Sequence, residues 1–173
     1  MTGDGGKQDA AQDRRSLAGK ILRIKDDGSI PSDNPFQNAV WAYGFQNPKG
    51  LAWDDSGRLW SVGHGRETFS AGFDELNLIG KGKNYGWPVA AGGEGQSGLT
   101  PPVIQSGADE SWAPGGIAAK GGRLFFTGLD GESLYVVRPS ADMLSATIAS
   151  YLHGQYGRLR AAAIGPDGML YLS

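Results

Sequence analysis

GLAWDDSGRLWSVG, residues 50–63, decides how this sequence reads, because the same pattern returns twice. GIAAKGGRLFFTG covers residues 116–128 and AAAIGPDGMLYLS covers residues 161–173. Each copy is a short apolar run, a turn ending in glycine, and then leucine followed by an aromatic residue: Leu59-Trp60, Leu124-Phe125 and Leu170-Tyr171. Glycine supplies the positive φ that a tight hairpin turn requires. The three copies therefore predict three β-hairpins. GKILRIKDDGSIP (19–31), DELNLI (74–79) and ESLYVVRP (132–139) supply further strand candidates between them. The spacing is near the roughly 40–50 residues of one four-stranded propeller blade plus an insertion. The expected fold is all-β, an arc of a propeller.

Composition agrees. Glycine makes up 29 of 173 residues without a collagen period, which fits many tight turns between short strands. The formal net charge is −2, so no basic footprint points to nucleic acid. No apolar run is long enough for a transmembrane segment, and the first residues do not read as a signal peptide. Cysteine is absent, which removes disulfides and thiolate metal sites. Residues 1–16 are polar and read as a loop, and no linker divides residues 1–173 into domains. ADMLSATIASYL (141–152) could form an amphipathic helix; within a propeller, a loop and then a strand from Ala146 is the preferred reading. GGEGQSG sets Gly93, Gly95 and Gly98 in G-x-G-x-x-G spacing, but Pro101-Pro102 follow where a dinucleotide site needs a helix, so it reads as a loop. About three hairpin repeats are too few to close a ring. Either a second copy or a missing propeller half is the expected neighbour.

Several residues invite a chemical reading. Arg158 and Arg160 alternate, so on a strand they share one face, suited to an anionic ligand or simply to solvent. Asp74-Glu75 before an apolar strand is either an oxygen-rich calcium corner or a polar turn. Trp112 can be a sugar platform, though core or rim packing is the commoner use. His64 sits in an HGR turn and reads as structural; His153 reads as a surface residue.

TGDGG, GKILRIKDDGSIPSDNPF, VWAYGFQNPKGLAW, DELNLIGKGKNYGWP and GRLRAAAIGPDGMLYL occur in this order. Together they resemble the soluble aldose sugar (glucose/sorbosone) dehydrogenases, six-bladed propellers that use pyrroloquinoline quinone (PQQ) and calcium. The resemblance runs over nearly the whole chain and implies about half of such a ring, without its early blades. It also implies oxidation of an aldose C1 hydroxyl to the lactone, and a periplasmic or secreted location. By the same resemblance Asn47, Lys49, Arg158 and Arg160 are cofactor-binding candidates. Gly65 and Arg66 match the main-chain ligands of the calcium beside the quinone. Glu75 and Tyr85 match a second calcium, and Trp112 matches an active-site tryptophan. Two departures stand out. Gln46 occupies the place of an arginine facing the quinone, and Asp130 that of a lysine. The base histidine of the family lies ahead of the TGDGG stretch, so this chain is expected to be inactive alone. The alternative is a non-catalytic propeller segment that binds carbohydrate or protein.

Overall fold

The computed structural model describes residues 1–65, 73–90 and 96–173. It is all-β apart from one turn of 3-10 helix, Gln8–Ala11, within the polar N-terminal stretch. Two complete antiparallel blades form its centre. The first joins β3 (Asn47–Trp53), β4 (Leu59–His64), β5 (Glu75–Ile79) and β6 (Ile104–Gln105). The second joins β7 (Pro114–Lys120), β8 (Arg123–Gly128), β9 (Ser133–Pro139) and β10 (Ala146–Tyr151). On either side stands a two-stranded sheet: β1 (Lys20–Leu22) with β2 (Val40–Tyr43), and β11 (Ala162–Ile164) with β12 (Leu170–Leu172). The chain is thus part of a β-propeller, with two whole blades and two half blades. Residues 141–152 take the strand reading, with β10 beginning at Ala146. Among the described residues no helix is long and apolar enough to cross a membrane.

The three repeats form the hairpins β3/β4, β7/β8 and β11/β12. Their turns reach one result by different chemistry. Asp54 accepts the backbone N–H groups of Ser56 and Arg58 and, at 2.9 Å, the Trp60 indole N–H. Asp167 accepts the Met169 N–H and, at 2.8 Å, the Tyr171 hydroxyl. In the middle hairpin Gly121 and Gly122 take φ of 60° and 69°, the left-handed pair that a two-residue turn needs.

The blades meet where β3 and β4 of the first face β7 of the second. Trp60, Val62, Leu76, Ile117, Leu124, Phe126 and Val137 form one buried cluster between them. Phe126 stacks on Tyr135 with ring centroids 4.8 Å apart. Each such side chain contributes roughly 1.5–3 kcal/mol by leaving water. Near the ring axis β3 packs on β7, and β7 on β11. A Cβ on Gly50 would lie 2.9 Å from the Ile117 nitrogen, and one on Gly115 would lie 2.3 Å from the Arg160 carbonyl oxygen. Glycine therefore serves close strand approach here as well as turns.

Candidate active site

The N-terminal ends of β3, β5 and β7 and the C-terminal ends of β4 and β8 lie at the same rim of the two blades. Propeller rims collect loops, and loops carry ligands. Asn47 opens β3 opposite His64, the last residue of β4. His64 Nδ1 lies 3.5 Å from Asp74 Oδ1. Asp74 is 1% exposed, and its Oδ2 accepts the N–H of Trp112 at 2.7 Å and of Ala113 at 2.8 Å. Burial raises the Asp74 carboxyl above the usual 3.8, against the pull of those N–H groups and of His64. Ser111 Oγ donates to Asp74 at 3.4 Å and also reaches Asp130 Oδ2 at 3.5 Å. Asp130 in turn pairs with Arg158 at 3.6 Å. A continuous polar arc therefore runs from Asn47 and His64 to Arg158, across two blades and onto the approach to β11.

Arg158 and Arg160 are exposed on either side of the buried Leu159. They alternate as expected, but on a bend and irregular chain that lead into β11 rather than on a strand. Lys49 is exposed at the irregularity in β3 between Pro48 and Gly50. Trp112 is 3% exposed, tilted against Phe126 and Tyr135 at centroid distances of 5.3 and 5.7 Å. Its indole N–H donates to Glu110. His153 is exposed, with Nδ1 3.0 Å from the Gly131 carbonyl oxygen and 3.1 Å from Ser133 Oγ.

Behind His64 lies a cavity of about 20 Å³, lined by Gln46, Gly65, Glu75, Asn77 and Tyr85 among others. That is room for one water or one ion. Gln46 Oε1 and Asn77 Oδ1 are buried without a hydrogen-bond partner, and Asn77 Nδ2 donates to Glu75 at 3.0 Å. Two orphaned acceptors beside a carboxylate suit a hard cation, which takes oxygen ligands. No group of three or more His, Cys, Asp or Glu side chains is placed to hold a metal among the described residues. A cation here would therefore rest on amide and main-chain oxygens with Glu75. Tyr85 offers no free hydroxyl: it donates to the Leu78 carbonyl at 2.6 Å, accepts the Gly80 N–H, and is pushed up to about 12 by burial. Gly65 fits against Phe73, whose carbonyl oxygen would be 1.6 Å from any Cβ there. Arg66 lies outside the described residues, as do Gly93 and Gly95.

The family model for glucose/sorbosone dehydrogenases matches residues 1–173. The chain belongs to that family. Family members include the aldose sugar dehydrogenase of Streptomyces coelicolor, solved with PQQ bound. That structure superposes with a TM-score of 0.88 at 43% identity, covering 98% of this chain and 50% of that one. The aldose sugar dehydrogenase YliI of Escherichia coli K12 is 33% identical over 98% of this chain and 52% of its own. Quinoprotein glucose dehydrogenase B of Acinetobacter calcoaceticus is 40% identical over 58% of this chain and 21% of its own. The chain thus spans about half the length of the aldose sugar dehydrogenases it matches. In this member of the family, Asp74 and Ser111 join the arc as a pair that the sequence does not announce. Nothing in FDELNLI or ESWAPGG indicates that two loops 37 residues apart share a hydrogen bond.

Proposed function

We propose that residues 1–173 form half of a quinoprotein sugar dehydrogenase ring, with an anionic redox cofactor seated at the rim that carries the polar arc. The observation that carries this reading is the run of contacts from His64 through Asp74, Ser111 and Asp130 to Arg158. PQQ, when bound, supplies a hydride acceptor for the C1 hydrogen of an aldose, with the lactone as product. Arg158 and Arg160 would hold its carboxylates, and Asn47 would donate to its oxygens. Each charge-assisted bond is worth about 1.5–3 kcal/mol. The cavity between Gln46, Glu75 and Asn77 would hold calcium.

A base for the sugar hydroxyl is the missing part. By the family resemblance that base lies ahead of the TGDGG stretch, a place filled neither by His64, whose Nδ1 faces Asp74, nor by His153, whose Nδ1 faces the Gly131 carbonyl and Ser133. These are the two histidines of the sequence. Without a base, half of the acid–base catalysis is lost, roughly 10²–10⁴-fold in rate. The chain alone is therefore expected to bind cofactor without turning over.

Calorimetric titration with PQQ and calcium tests the first part, and glucose with a redox dye tests the second. Saturable binding that weakens about tenfold or more in Arg160→Ala supports the reading. Rapid dye reduction by the chain alone refutes the missing base. The competing reading, a non-catalytic segment that binds carbohydrate or protein, is favoured by Gln46 and by Asp130, which sets a carboxylate against Arg158. Absence of PQQ binding even with the remaining blades restored would favour it.

A further inference from the structure

Residues 152–161 link β10 to β11 and carry Arg158 and Arg160 along the rim. The link begins against the β8–β9 turn, residues 129–132. His153 Nδ1 lies 3.0 Å from the Gly131 carbonyl oxygen, and the Gly154 N–H donates to the Glu132 carbonyl at 3.1 Å. A carbonyl oxygen only accepts, so Nδ1 carries the hydrogen. Ser133 Oγ donates to the same Gly131 oxygen at 2.6 Å, which leaves its lone pairs toward His153 Nδ1 at 3.1 Å. Two oxygens, one from backbone and one from a buried hydroxyl, thus hold the Nδ1 hydrogen.

Both facing turns are strained at this clamp. Glu132 has a φ of 42° and Leu152 a φ of 62°, in the left-handed region although neither is glycine. Such backbone persists only where its surroundings hold it, and it gathers at functional sites. Glu132 sits between Gly131 and Ser133, the two partners of His153. Leu152 directly precedes His153, and its carbonyl accepts the Gln155 N–H at 3.0 Å.

We propose that His153 is a positioning residue: through this clamp it sets where Arg158 stands at the rim. Three relationships carry the inference. Asp130, the ion-pair partner of Arg158, belongs to the same turn that His153 grips, so the clamp places both members of that pair. The pair itself is more than half exposed on each side and is too weak in water to fix a loop. The far end of the segment is pinned by the buried Leu159 and by the close approach of the Arg160 carbonyl to Gly115. Between the two pins Gly154 and Gly157, with φ of 66° and 68°, let the chain turn without holding it. The consequence for anion binding rests on the cofactor reading above; the clamp itself does not.

The experiment separates ring from donor. His153→Phe keeps a ring and loses Nδ1–H, whereas His153→Asn keeps an N–H donor on Cγ. The first readout needs no ligand: amide relaxation of residues 154–158 and the Arg158 Nε–H resonance by NMR. Residues 154–158 are expected to gain mobility in His153→Phe while the Trp60 indole resonance stays in place, and to regain their order in His153→Asn. Should His153→Phe not fold, His153→Ala repeats the comparison without the bulk. Unchanged order without the donor overturns the proposal, and so does failure of His153→Asn to restore it. The second readout is calorimetric titration with PQQ. Affinity should fall about five- to tenfold in His153→Phe, recover in His153→Asn, and fall no further when His153→Phe is added to Arg158→Ala. An equal fall in the Arg158→Ala background overturns the positioning role. Loosening of residues 154–158 in a protein that takes up no PQQ, even with the remaining blades restored, upholds the clamp and removes the cofactor reading.

Discussion

Asp74 holds Trp112 by its backbone, not by its ring: the carboxylate accepts the Trp112 N–H at 2.7 Å. It accepts the next N–H as well, from Ala113, whose φ of 43° is costly for a residue with a Cβ. One buried carboxylate thus fixes the loop between the two whole blades. Asp74→Ala leaves two buried N–H groups unpaired and is expected to cost about 2–4 kcal/mol in urea unfolding. The pH dependence has a defined sign. The folded carboxyl lies above 3.8, so its protonated form contributes stability that is complete below 3.8 and is lost as pH rises through the folded value. Asp74→Asn should abolish that fall while keeping one acceptor.

Lys20 gives the second pH signature. Its side chain is fully buried, and its ammonium donates to the carbonyls of Ala10, Ala11 and Ala18 at 2.8, 2.9 and 2.5 Å. Burial lowers it from 10.5 to about 8. Between those values the unfolded chain holds the extra proton, so stability rises with pH across the window. Below pH 8 the whole penalty applies, about 3 kcal/mol from the size of the shift. Unfolding midpoints measured from pH 7 to 10 should climb for the native chain and stay level for Lys20→Met.

Gly115→Ala tests the inner strand contact. The new methyl would sit 2.3 Å from the Arg160 carbonyl oxygen and 2.9 Å from Thr127 Oγ1, and backbone cannot yield cheaply. A loss of about 1–3 kcal/mol is expected from overpacking, read from the shift in thermal midpoint. Gly5→Ala serves as a control for handling: no atom lies within 4 Å of its Cβ, although its φ of 62° adds modest strain.

Asp130→Lys tests the anion pocket. The native carboxylate is 3.6 Å from Arg158 and more than half exposed, as is its partner. Replacing it exchanges an attraction for a repulsion in the free protein and adds a cation for the ligand. PQQ affinity should rise roughly tenfold, about 1.4 kcal/mol, in calorimetry. Unchanged affinity would remove Arg158 from the pocket.

Much of this architecture is legible in the residues. Leu59-Trp60, Leu124-Phe125 and Leu170-Tyr171 mark their hairpins because a turn glycine and a period-two apolar pattern are local properties. The start of β10 at Ala146 follows instead from the propeller context, since the local pattern of residues 141–152 also fits a helix. Gly50 and Gly115 were not legible as axis contacts, because what excludes their Cβ atoms is a neighbouring blade. Trp112 reads as core or rim packing more readily than as a platform, and its ring lies against Phe126 and Tyr135. The site is legible in part: Asp74 is visible as a polar residue ahead of a strand, while its bonds to Trp112 and Ala113 depend on how two blades dock.

Every strand of the two whole blades pairs with the strand next to it in the chain. Loop closure is therefore short throughout, and either blade can nucleate without waiting for the other. Refolding of the two blades should show a fast phase that is independent of protein concentration, when the Trp60 cluster forms.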